Sequence, residues 1–160
     1  MKGVVYDDRV FQGILKSVKR MDKMHVKVGV LSSKGGSAKH DNSAFTLVEL
    51  MAIHEFGSAD GTIPDRAPIR LTFETNQKEM AAFIAPLARQ VITNGMPVER
   101  ALGLLGIKGV AEIKKTITQS DLPPPLKPAT IARKGSDRPL VDTGQLINSI
   151  QYEVGDDDVE

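Results

Sequence analysis

Two stretches of this 160-residue chain alternate in the period of a half-buried strand, and they lie near its opposite ends. In His25–Leu31, Val26, Val28 and Val30 alternate with Lys27 and Gly29; near the C-terminus Ile150, Tyr152 and Val154 do the same. Nearly everything between them carries apolar residues at helical spacing or no periodicity at all. A chain so arranged has no βαβ alternation to build a parallel sheet. The expectation is an α+β fold, with several helices packed on a small antiparallel sheet that the two ends close together.

The helical stretches read as follows. From Asp8 to about Met21, Val10, Phe11, Ile14, Leu15, Val18 and Met21 share one face, with Lys16, Lys19 and Arg20 elsewhere on the wheel. Ser43 can cap a second helix, in which Leu47, Leu50, Met51 and His54 form a stripe and Gly57 supplies the stop. A long pattern starts near Arg70 and runs through Phe73, Met80, Phe83, Ile84, Leu87 and Val91 to Asn94-Gly95. Pro86 interrupts it, removing one backbone hydrogen bond and crowding the preceding turn, which predicts a kink there or two helices in succession. Pro97 suits a first helical position, and Val98, Leu102, Leu105, Val110, Ile113 and Ile117 carry an amphipathic helix to about Thr118. Asp142 or Thr143 can cap a short helix over Gly144–Ser149.

Three stretches lack periodicity. Residues 32–43, glycine, serine and charge, bury too little apolar surface to offset their ordering entropy and are expected to form a flexible loop. The loop Ser58–Pro68 holds two prolines and a glycine. Residues 120–139 are rich enough in proline to predict an extended arm of polyproline character, lying on the surface or reaching a neighbour. The acidic end, GDDDVE, is expected to fray. One domain over residues 1–160 accommodates all of this.

Composition removes function classes rather than naming one. Aromatic residues make up 4% and tryptophan is absent, so the core must be aliphatic. Twenty-one basic residues against 20 acidic ones leave no long-range field to draw the chain to nucleic acid or anionic lipid. With no cysteine there is neither disulfide nor thiolate chemistry. The N-terminus meets Asp7 and Asp8 before any sustained apolar run, and no segment is long enough to cross a bilayer, so a soluble protein without a signal peptide is expected.

Candidate catalytic motifs fail on spacing. His54-Glu55 begins like a zinc-protease helix, but the position of the second histidine is Ser58, beyond the helix-ending Gly57. Asp142-Thr143-Gly144 matches the catalytic turn of aspartic proteases, which pair two such aspartates; a single copy would require a homodimer, and the helical pattern that follows reads as an N-cap turn instead. Lys34-Gly35-Gly36-Ser37 lacks the spacing of a phosphate-binding loop. Arg66, Arg70, Arg133, Lys134 and Arg138 could form a basic rim. These readings lead to no catalytic residue, no metal and no cofactor. An aspartic-protease-like homodimer using Asp142 and a small nucleic-acid-binding module stand as alternatives.

Two blocks read together are more specific. His54-Glu55-Phe56-Gly57 leads into Ile63-Pro64-Asp65-Arg66-Ala67-Pro68, and later Leu140-Val141-Asp142-Thr143-Gly144 is followed by Leu146, Ser149 and Ile150. The pair, in order and with the opening helix and the Val26–Gly29 strand, resembles the virion morphogenesis proteins of tailed bacteriophages, also described as tail-completion or neck proteins. The resemblance implies a structural protein, not an enzyme, that forms a homo-oligomeric ring of six copies at the head-tail junction or the head-proximal end of the tail. Its implied partners are other neck, connector and tail proteins, with no membrane, and with nucleic acid at most passing through the lumen. The implied location is the virion, reached from the host cytoplasm during assembly. Pro64 and Pro68 would fix an extended path that projects Arg66 and Arg70 toward acidic groups of a neighbouring subunit. Lys127 and Arg133 of the arm are the remaining interface candidates, and loop and arm are expected to order on assembly.

Overall fold

In the computed structural model, residues 8–41, 44–119, 122–134, 140 and 144–157 are described. The two alternating segments form β1 (Met24–Val30) and β2 (Ile150–Asp156), which pair antiparallel with Val26 opposite Val154, Val28 opposite Tyr152 and Val30 opposite Ile150. Directly opposed residues project from the same face of a sheet. Val28 and Tyr152 therefore point together at whatever covers it.

The helices are α1 (Asp8–Lys23), α2 (Leu47–Phe56), α3 (Pro68–Thr75), α4 (Gln77–Asn94), α5 (Val98–Gln119), α6 (Pro128–Lys134) and α7 (Gln145–Asn148). Helices thus pack on a small antiparallel sheet, the α+β architecture expected. The central helix is α5, which lies across both strands. It can approach so closely because Gly106 and Gly109, three residues apart, share the face turned to the sheet. A Cβ on Gly106 would stand 2.4 Å from Cδ2 of Tyr152, and one on Gly109 would stand 3.2 Å from Cγ2 of Val28. The helix backbone takes the place of side chains, and the strands fill the resulting groove.

Aliphatic residues gather on either side of α5. One cluster joins Leu47 and Met51 of α2, Ile113 and Ile117 of α5, Leu146 of α7 and Ile150 of β2, and Leu122 and Leu140 complete it. The other joins Val91 of α4 to Val98 and Ala101 of α5, flanked by Met21 and Met24.

Four local expectations are revised. The long pattern expected to kink or divide at Pro86 does form two helices in succession, but they divide at Asn76, and α4 continues through Pro86. There the Asn76 amide group donates to the Thr72 carbonyl (2.8 Å) and the Thr75 hydroxyl to that of Leu71 (2.7 Å), consuming carbonyls at the end of α3. Pro86 is exposed, so the carbonyl it leaves unbonded can turn to water. The second helix is capped not by Ser43, which lies outside the described residues, but by Thr46. Its hydroxyl accepts from the Glu49 amide while the Glu49 carboxylate accepts from the Thr46 amide (2.8 Å).

The segment expected as an extended arm contains α6. Pro128 occupies a position whose N–H would be unused, and Ala129–Lys134 holds no further proline. Residues 32–41 of the glycine-serine loop are also organised, by backbone bonds rather than apolar burial. Residues 32–34 make a 3-10 turn, and the Gly36 and Ala38 carbonyls accept from the Val48 and Leu47 amides (3.0 and 2.9 Å). These are first-turn donors of α2 that have no partner within their own helix.

Candidate functional site

The first of the two sequence blocks forms a stiff corner between α2 and α3. Glu55, buried at the end of α2, accepts hydrogen bonds from the backbone amides of Ile69 and Arg70, both at 2.9 Å. These amides open α3, where the helix dipole also favours a carboxylate. The His54 carbonyl meanwhile accepts from the Arg66 and Ala67 amides (2.8 and 3.0 Å), and Gly57, at φ 83°, turns the chain out of α2.

Between these anchors Ser58–Ile63 folds back on itself, its Asp60 Oδ1 accepting from the Ser58 hydroxyl, the Thr62 amide and the Thr62 hydroxyl (2.6, 3.1 and 2.8 Å). Those donors, the Ser58 hydroxyl foremost, hold the Asp60 carboxyl down to about 2, from an ordinary 3.8. Because the folded value lies below the unfolded one, the turn's stabilisation is complete above pH 4 or so and is lost as pH falls toward about 2. A proton-carbon NMR titration should therefore find the Asp60 midpoint near 2, with the Thr62 amide shifting in step. A midpoint at the ordinary value would mean the three bonds are not made.

The arginines expected at a subunit contact part company here. Arg66 is turned inward: the residue is 7% exposed, its Nη2 donates to the Pro124 carbonyl (3.2 Å), and its Nε finds no acceptor among the described residues. Burial pushes its guanidinium below the usual range. The backbone causes this, since Ala67 takes a left-handed conformation (φ 42°) and residues 66 and 67 are both tied to His54. Arg66 thus binds the proline-rich segment to the corner instead of projecting from it. Arg70 is exposed and lies 3.4 Å from Asp65, an ion pair in water that contributes little. Pro64 is exposed, and Pro68 is buried as the first residue of α3. Lys127 is exposed just before α6, where its carbonyl accepts from the Ile131 amide; Arg133 lies within α6.

What sequence reasoning passed over is the apolar surface. No residue of α1 is buried: Val10 is 66% exposed and Phe11 58%, with Leu15 and Val18 open beside them. Ile14, Ser17 and Met21 are partly buried against the body, and Met21 closes an apolar groove lined by Ile84 and Leu87 of α4 and Leu102 and Leu105 of α5. On the corner, Phe56 is 78% exposed, and Phe45 is exposed at the start of α2. The helical wheel held the signal for Phe56, nine residues after Leu47 and so on the opposite side of α2 from the buried stripe.

Among the described residues no group of three or more His, Asp or Glu is placed to hold a metal ion, and no helix is long and apolar enough to cross a membrane. Asp142 and Thr143, on which the protease reading depends, lie outside the described residues. Gly144 is left-handed at the start of α7. No protein-family model, curated protein or solved structure matches the chain.

Proposed function

We propose that this chain is a structural subunit of a tailed-phage virion, repeating one contact around an axis to form a ring at the head-tail junction or the head-proximal end of the tail. The observation that carries this reading is the build of the two blocks on which the resemblance rests. Residues 54–70 make a corner braced by Glu55 and by the His54 carbonyl, with Phe56 held outward on it. The second block contributes Leu140, Leu146 and Ile150 to the core that seats α2. A corner fixed this firmly presents the same surface on every copy, as a ring contact requires. Six copies is the number the resemblance suggests, with neck, connector and tail proteins as partners.

Three measurements test the proposal. Sedimentation of the purified chain should give an oligomer, and gold-labelled antibody should mark the neck of intact particles. Phage lacking the chain should accumulate separate heads and tails. A chain absent from particles, whose loss leaves heads and tails joined, would rule the proposal out.

A further inference from the structure

Two exposed surfaces of this chain are complementary, and nothing in the single copy brings them together. The first is α1, whose outward row of Val10, Phe11, Leu15 and Val18 is flanked by the exposed Lys16 and Lys19, while Arg20 is already paired with Glu99 and Asp156 of the same copy. Large apolar side chains scattered singly over a surface are ordinary, but a contiguous row of them marks a place where something docks. The second surface is the α2 corner. Its exposed carboxylates are Glu49, Asp60 and Asp65, the last of them paired with Arg70, while Glu55 is turned inward, and it carries the exposed Phe45 and Phe56. Both helices touch β1, but otherwise they pack on different elements: α1 on α4 and α5, and α2 on α3 and α7.

We propose that copies of this chain join head to tail, with the acidic, phenylalanine-bearing corner of one copy docked on the basic apolar face of α1 in the next. Phe56 is the anchor. The groove beside Met21, with Ile84 and Leu105 in its walls, is an apolar seat for the ring, and Lys16 and Lys19 supply charge opposite to that of Asp60 and Glu49. Charge also selects this pairing over α1 against α1, which would set two basic helices side by side. A contact between two different patches of identical chains is heterologous, so it propagates until it closes. This assignment rests on the ring reading above and names the surfaces that the ring would use.

Two variants and their mixture test it. Phe56→Asp spoils the corner and leaves the α1 face intact; Val18→Asp does the reverse. Both positions are exposed, so the thermal midpoints followed by circular dichroism should match that of the wild type. In sedimentation the wild type should associate, and each variant alone should be monomeric, its self-association weakened by about thirtyfold or more. An equimolar mixture should give a dimer of one copy of each, because one sound corner and one sound α1 face remain, and nothing heavier. Lys16→Glu with Lys19→Glu should weaken association, as should about 0.5 M salt.

The inference is overturned if Phe56→Asp still forms the wild-type oligomer, or if the mixture yields no dimer. It is equally overturned if the wild type stays monomeric at about 100 µM, or if Val18 is needed for flotation with phosphatidylserine-containing vesicles and not for association. Each of these results leaves the labelling of virions, and with it the structural role, to be decided on its own evidence.

Discussion

Gly106→Ala should destabilise the protein by about 2–3 kcal/mol, although alanine is the better helix former by about 1 kcal/mol. The added methyl would stand 2.4, 2.5 and 2.9 Å from Cδ2, Cγ and Cβ of Tyr152. The first two atoms belong to the ring and the third to its root, so the clash is not relieved by moving the far end of a flexible chain. Either β2 lifts from α5 or the helix shifts off Val28, and both expose core. Gly13 in α1 provides the control. Nothing lies within 4 Å of where its Cβ would be, so Gly13→Ala should stabilise by about 0.5–1 kcal/mol. Urea unfolding of the two variants should move in opposite directions. Combining Gly106→Ala with Tyr152→Ala should cost less than the sum of the two changes, because the ring that clashes is gone. A neutral Gly106→Ala would mean that α5 does not rest on Tyr152.

Replacing Glu55 with alanine is the second large effect expected, about 2–4 kcal/mol. The change removes two charge-assisted hydrogen bonds of 2.9 Å and leaves the Ile69 and Arg70 amides without their acceptor in a partly buried place. Glu55→Gln keeps one side-chain oxygen as acceptor and should lose about half as much. Hydrogen exchange makes the test specific: the Ile69 and Arg70 amides should lose protection in Glu55→Ala, while those in the middle of α5 change only as far as global stability changes. Unaltered protection at Ile69 and Arg70 would show that the carboxylate does not brace the corner. Because Phe56 is the next residue, a loosened corner should also weaken the association proposed for it.

How far each feature could be read from the chain depended on how far apart its causes lie. That the segment at Val26–Val30 pairs with the one at Ile150–Val154 follows from two short alternations and the absence of other strand-like segments, whereas the register, Val26 opposite Val154, comes from the fold. The extent of α5 follows from its apolar spacing and from Pro97 just ahead of it. The place where the long pattern divides, Asn76 and not Pro86, was not legible from the proline. Its cost depends on whether the orphaned carbonyl can reach water, which exposure decides and the residue type does not. The helix within the arm is masked in the sequence by the frequency of proline across residues 120–139, although Pro128 sits where it is tolerated.

The candidate surfaces divide in the same way. By itself the sequence determined the fold class, the strand faces, an aliphatic core and the two blocks that carry the phage resemblance, because periodicity and turn chemistry are local properties of consecutive residues. Tertiary structure alone decided that Arg66 faces inward to Pro124, 58 positions away, that Glu55 caps a helix beginning 13 residues later, and that Gly106 must remain bare beneath Tyr152. Those outcomes depend on which distant backbone group or ring comes within bonding or clashing distance, and that separation is set by the packing of whole elements. The apolar face of α1 lies between the two cases: its spacing is plain from the chain, and only the packed fold shows that Val10, Phe11, Leu15 and Val18 stay exposed.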